Sequence, residues 1–314
     1  MDNYIFELSE KVSRKSVSYK NRYGIKLAGD LYMSKDIDMN KKHPALVIGA
    51  PYGGVKEQGP GVWANELAQR GFVILTFDPS FNGYSDGGKM HLSSPDLFTE
   101  DFSAGVDFLG TRSFVDREKI GAIGICGSGG FALGAAQVDT RIKAVVTASM
   151  YDMTRTMKMG DGDGLTNEQW YETLKPINEQ RYDDFEKDYP TLTPRSALLT
   201  VDETTDPLSR EFHEFYSTPR GYHPNAIAAF SMSSTMSFMN FNLLDNIKRI
   251  SPRPIMFIVG ENALSRFFSD DAYKEANEPK ELVVIENCNH VDLYDDVNKI
   301  PFNKVEEFFK TNLK

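Results

Sequence analysis

Cysteine, tryptophan and positive charge are all scarce in this chain. Two cysteines in 314 residues, Cys126 and Cys288, leave no material for a disulfide framework, and a chain this long buries enough surface to do without one. The acidic excess, 45 Asp and Glu against 35 Lys and Arg for a formal charge of −10, repels a phosphate backbone and the anionic face of a membrane. We therefore expect neither nucleic acid nor membrane as a partner. No run approaches the ~18 apolar residues of a membrane span, and Met1-Asp2-Asn3-Tyr4-Ile5-Phe6-Glu7 has acidic residues where a signal peptide carries a basic region. These absences predict a cytoplasmic protein in a reducing compartment.

What is present is ample core material. Hydrophobic residues make up 40% and aromatics 12% of the chain, which excludes intrinsic disorder as the main state. Val17, Tyr19, Ile25, Leu27 and Leu31 alternate with polar residues from Ser16 to Met33 and predict a β-hairpin turning near Tyr23-Gly24. Short apolar runs follow at Ala45 to Ile48, Val73 to Phe77, Ile120 to Ile125, Ile142 to Ala148, Ile255 to Val259 and Leu282 to Ile285. Amphipathic stretches at Gly61 to Arg70, Phe98 to Phe108, Phe131 to Gln137 and Lys304 to Leu313 predict helices between and after them. The class is α/β, with a mainly parallel sheet flanked by helices.

One segment breaks the rhythm. From about Met153 to Asp245 no buried strand is evident; a polar helical stretch leads into Met232, Met236, Phe238, Met239 and Phe241. We expect core at residues 1–152, a helical cap insertion at 153–244 and core again at 245–314. The Met and Phe stripe reads chiefly as packing within that cap, with the wall of an apolar pocket as the functional alternative.

The chemistry concentrates at Gly124-Ile125-Cys126-Gly127-Ser128-Gly129-Gly130, a strand followed by small residues around a nucleophile and then a helix. A nucleophile on so tight a strand-to-helix turn needs small neighbours, because the turn brings backbone close on both sides. The apolar run ends at Ile125, so Cys126 is the first residue able to occupy the turn; Ser128 is the alternative register. Gly124, Gly127, Gly129 and Gly130 do not give the GxGxxG spacing of a dinucleotide site.

This elbow, with Gly53 to Gln58, Phe77 to Ser80, Gly83 to Gly87 and His290-Val291-Asp292-Leu293-Tyr294-Asp295, resembles the α/β-hydrolase superfamily. It is most similar to the dienelactone-hydrolase-like branch, with its cysteine nucleophile, and to polyketide-processing hydrolases. The resemblance implies an ester-, thioester- or lactone-cleaving enzyme acting on a small acyl substrate through Cys126 without a cofactor. His290, after the last core strand, is the expected base. For the acid, the sequence places Ala263 where many relatives carry Asp, leaving Asp152 and Glu261 as competing candidates. Tyr52 and Gly127 would supply oxyanion-hole N–H groups. Acyl or polyketide transfer or cyclisation is an alternative on the same fold, as is a non-catalytic binding protein, and a homo-oligomer is compatible with the sequence. No metal is expected: Cys126, Cys288 and His290 lack zinc-ligand spacing. An EF-hand reading of Asp161-Gly162-Asp163-Gly164 puts Met159 and Trp170 at ligand positions and fails. A Cys126–Cys288 disulfide would silence the enzyme.

Overall fold

Eight strands form one sheet in the order β1-β2-β4-β3-β5-β6-β7-β8. The computed structural model describes residues 3–87, 90–160, 163–194 and 200–314; Asp161 and Gly162 of the rejected calcium loop lie outside them. Strands β1 (Val12–Lys20) and β2 (Lys26–Ser34) are the antiparallel hairpin expected from the alternation, and β2 runs antiparallel to β4 (Val73–Phe77). The remaining pairings, among β4, β3 (His43–Gly49), β5 (Val115–Ile125), β6 (Val145–Ala148), β7 (Ile255–Gly260) and β8 (Lys280–Ile285), are all parallel.

Both faces of this sheet are covered, which is why its central strands read as unbroken apolar runs. In β3, Leu46 and Ile48 face Trp63 and Leu67 of α1 (Gly59–Ala68) and Val305 and Phe309 of α10 (Phe302–Asn312), whereas Ala45 and Val47 belong to the core with Phe102 and Val106 of α2 (Pro95–Gly110) and Phe131 of α3 (Gly127–Val138). The period-two alternation thus splits one strand between two hydrophobic layers.

Between β6 and β7 come α4 (Met153–Met159), α5 (Asn167–Phe185), α6 (Pro207–Tyr216) and α7 (Ser234–Met239). An isolated bridge between Leu192 and Ser231 is the one β-pairing among the described residues of this segment. A short 3-10 helix, Ile247–Ile250, leads into β7. Helix α8 (Arg266–Glu275) follows β7, and α9 (Asp292–Asp295) follows the loop after β8. No helix among the described residues is long and apolar enough to cross a membrane.

Helix α3 begins at Gly127, not at Phe131 as the apolar spacing predicts, because the chain leaves β5 and enters the helix with a single residue between them. Propensity argues against a helical start at Gly-Ser-Gly-Gly; close packing requires it.

Candidate active site

Cys126 is that single residue. Its φ of 55° and ψ of −123° are conformations that cost a non-glycine residue about 1–3 kcal/mol. Its backbone is held by bonds from its own N–H to the Ala148 carbonyl (2.9 Å) and from the Gly129 and Tyr151 N–H groups to its carbonyl (2.8 and 3.0 Å). The glycines are obligatory: a Cβ on Gly124 would lie 2.1 Å from the Ser128 carbonyl oxygen, and one on Gly127 2.8 Å from Tyr52 Cβ. Ser128 sits inside α3, donating its hydroxyl to the Ala50 carbonyl.

The backbone N–H groups of Gly127 and Tyr52 and the Tyr294 hydroxyl lie close enough to the Cys126 sulfur to favour its thiolate form, and Tyr52 and Tyr294 line the same cavity as Cys126. Gly127 and Tyr52, the expected oxyanion donors, stand next to each other beside Cys126, with Tyr52 N 3.3 Å from where a Cβ on Gly127 would lie. The Tyr52 ring is fixed independently, stacked on Phe230 at 4.0 Å, edge-on to Phe238 at 5.6 Å, and hydrogen-bonded to Ser93 at 2.7 Å.

His290 is fully buried. Its Nε2 lies 2.8 Å from the Tyr294 hydroxyl, and its Nδ1 is bonded to Ser265 Oγ. The rings of Phe212, Tyr151 and Tyr294 surround it edge-on at 5.5, 6.0 and 5.5 Å. This apolar box penalises the charged imidazolium and pushes its pKa down to about 3. Burial likewise raises the Cys126 thiol, against opposing hydrogen bonds from Tyr294, Gly127 and Tyr52. At rest the two groups are a neutral thiol and a neutral imidazole, not the ion pair that a cysteine and a histidine often form.

Three elements position the imidazole. Ser149, at the end of β6 with φ 47°, donates to the His290 carbonyl at 2.8 Å. The absence of a side chain on Gly260 lets the Cys288 carbonyl press against β7, where a Cβ would lie 2.2 Å from it. From α6, Glu211 accepts the His290 and Val291 N–H groups at 3.1 and 3.4 Å. Arg220 extends this attachment by pairing with Asp295 and Asp292 at 2.8 and 3.4 Å.

Neither expected acid is bonded to the imidazole. Asp152 is the N-cap of α4, accepting from the Thr154 and Arg155 N–H groups at 2.9 and 3.0 Å and from the Thr154 hydroxyl at 2.6 Å. A side chain spent on orphan helix donors has its near oxygen committed. Glu261 bends to the Asn287 N–H at 3.1 Å. Ser265, at the start of α8, takes the place at Nδ1. Sequence reasoning missed it, since a serine two residues past the usual acid position carries no distinctive signal. Tyr294 was within reach: it follows His290 by four residues, the spacing that brings side chains together over a helical turn.

A cavity of about 250 Å³ opens over the sulfur, lined among others by Tyr52, Met153, Phe212, Tyr216, Ala228 and Tyr294. The Met and Phe stripe does not line it. Phe238 and Met239 are buried, and Phe238 packs against Phe131 of α3 and Tyr52, so this part of the stripe packs onto the sheet-and-helix core and not within the 153–244 segment. Both cysteines are free; the Cys288 thiol is directed to the Asn289 carbonyl at 3.5 Å. Among the described residues, no group of three His, Cys, Asp or Glu side chains is placed to hold a metal ion.

Comparison with known proteins agrees with this architecture. The α/β hydrolase GrgF of Penicillium sp. superposes with a TM-score of 0.79 at 21% identity, over 96% of this chain and 99% of its own. Uncharacterized protein PA2218 of Pseudomonas aeruginosa is 49% identical over 98% of this chain and 83% of its own; its crystal structure superposes with a TM-score of 0.95 over 99% and 97% of the two chains. Residues 64–206 match the prolyl oligopeptidase family. The chain belongs to the α/β-hydrolase superfamily. Another relative of this α/β hydrolase is the thiohydrolase aneE of Aspergillus aculeatus, 26% identical over 90% of this chain and 88% of that one.

Proposed function

We propose that this α/β hydrolase cleaves a carboxylic ester, thioester or lactone through an acyl-Cys126 intermediate. The observation that carries the reading is a strained cysteine at the strand-to-helix elbow with the Gly127 and Tyr52 backbone packed beside it. In the reaction the Cys126 sulfur attacks the acyl carbon as its proton passes to His290. The carbonyl oxygen becomes an oxyanion and takes over the two N–H groups, each such donor being worth about 3 kcal/mol in the transition state. Collapse expels the alcohol or thiol, which recovers the proton. Water, activated by His290, then releases the acid. Ser265 Oγ accepts Nδ1–H while Nε2 carries the proton, the orienting role a carboxylate plays in other triads.

The cavity fits a neutral, largely apolar acyl group, since none of the described residues lining it is charged at neutral pH. We assign residues 153–244 as the cap, because α4 and α6 of that segment supply Met153, Phe212 and Tyr216 to the cavity wall. The thiohydrolase relative favours a thioester among the three bond types. Two free thiols suit a cytoplasmic location.

Hydrolysis of p-nitrophenyl esters of increasing chain length, with mass detection of an acyl adduct on Cys126, tests the reading. Cys126→Ala is expected to abolish both; activity surviving in Cys126→Ala but lost in Ser128→Ala overturns it. Burial of Cys126 to 5% exposure limits water at the intermediate and favours a second reading, acyl transfer. Product formation that rises with added alcohol or thiol acceptor, at constant ester consumption, would establish it.

A further inference from the structure

One phenol stands between the nucleophile and the base. The Tyr294 hydroxyl is 2.8 Å from His290 Nε2, and Tyr294 lines the same cavity as Cys126 and Tyr216. We propose that Tyr294 is a catalytic residue whose hydroxyl relays the Cys126 thiol proton to His290. The inference rests on the Cys126 and His290 reading above and adds a third participant to it.

A phenol offers one hydrogen and two lone pairs, so one hydroxyl can accept a proton on one side while it gives its own on the other. With Nδ1–H donated to Ser265 Oγ, Nε2 is the acceptor of the pair and takes the Tyr294 O–H. In the relay the Tyr294 oxygen accepts the thiol S–H on a lone pair while its own O–H is directed to Nε2.

The step balances. The S–H bond breaks as its proton bonds to the Tyr294 oxygen, and the original Tyr294 O–H bond breaks as that proton passes to Nε2. The freed sulfur electron pair forms the bond to the acyl carbon. Tyr294 ends as a neutral phenol, Cys126 as part of a tetrahedral adduct whose carbonyl electron pair rests on the oxyanion, and His290 as an imidazolium; the thioester forms when the leaving group departs. The reverse transfer through the same hydroxyl delivers a proton to the departing oxygen or sulfur. The two transfers must be concerted, because burial opposes a phenolate at Tyr294.

This relay also accounts for a site in which neither group is charged at rest. An imidazole boxed by aromatic rings gains nothing from being protonated early, so the proton moves only when the sulfur bonds to carbon.

Tyr294→Phe, compared with the wild type, is the test. Alkylation of Cys126 by iodoacetamide, located by mass spectrometry so that Cys288 is counted separately, needs no ester; p-nitrophenyl ester hydrolysis reports turnover. The relay predicts alkylation slowed about 10-fold and kcat lowered about 100-fold or more, the usual scale for one acid–base participant, with KM nearly unchanged. Equal or faster rates in Tyr294→Phe overturn the proposal and make Tyr294 a plug that His290 bypasses. A proton inventory of acylation in mixed H2O and D2O needs no variant: a curved dependence supports two protons in flight, and a straight line overturns the relay. Wild-type protein that alkylates but hydrolyses no ester counts against the hydrolase reading, while the alkylation ratio still decides the relay.

Discussion

Ser265 Oγ is bonded to Nδ1 of His290, where a triad would place its carboxylate. A neutral hydrogen bond contributes about 1–1.5 kcal/mol, so Ser265→Ala should lower kcat about 10-fold. Asp152→Ala should instead cost about 1 kcal/mol of stability through the lost α4 cap, with kcat nearly unchanged. Kinetics and urea denaturation of the two variants separate the roles; a larger kcat loss in Asp152→Ala would return the orienting role to the carboxylate.

With the His290 pKa pushed down to about 3 by its aromatic box, the base is already unprotonated well below neutrality. The acid limb of kcat/KM should therefore lie below pH 5 and not near 6.5, the ordinary imidazole value. A pH profile measured within the range of the folded protein decides this; a midpoint near 6.5 would contradict the buried setting of the ring.

The turn itself tolerates no added carbon. Gly124→Ala would place a Cβ 2.1 Å from the Ser128 oxygen and 2.4 Å from its carbonyl carbon. Because the obstacle is backbone, β5 and α3 must separate, at a cost of about 1–3 kcal/mol. A lower melting temperature with reduced kcat is the expected result, and an unchanged melting temperature would refute the packing argument.

A second buried histidine, in the segment between β6 and β7, faces the loop after β3. His223 Nε2 faces Glu57 Oε2 at 3.9 Å, and neither atom has a hydrogen-bond partner among the described residues. Burial, with Lys56 nearby, lowers the His223 pKa to about 4. Between pH 6.5 and 4 the unfolded chain takes up a proton at this position that the folded chain refuses, so stability falls as pH falls. Glu57, raised to about 7 chiefly by burial, works oppositely, since its folded form binds a proton first. His223→Asn, which can keep the bond to the Asn225 N–H, should lose less stability across that window than the wild type. Parallel denaturation curves at pH 7 and pH 5 provide the check.

Thr156 carries the remaining unpaired polar group of the cavity wall, its Oγ1 buried without a partner among the described residues. An acyl chain bearing a hydroxyl or carbonyl within reach should therefore be preferred over its plain alkyl counterpart, about 10-fold for one recovered hydrogen bond. Thr156→Val keeps the shape and should erase that preference. An unaltered kcat/KM ratio between the paired substrates would dismiss it.

Sequence alone determined the scaffold and the elbow residue. Apolar runs such as Ala45 to Ile48 are legible because both faces of a parallel strand are buried, and Cys126 is legible because only small residues fit around so tight a turn. His290 followed from chain order after the last strand. The partners of His290 were decided by tertiary structure. Asp152 looked like a triad acid by its place after β6, but the unpaired N–H groups of α4 claimed it. Ser265 and Tyr294 reach the imidazole because the loops after β7 and β8 fold over each other, a juxtaposition of residues 25 apart in one case and four in the other. The pattern of buried and exposed residues along a strand is written locally, in its own side chains. Hydrogen bonding at a site depends on which loops meet in space, and that is fixed only when the sheet and its cap have packed.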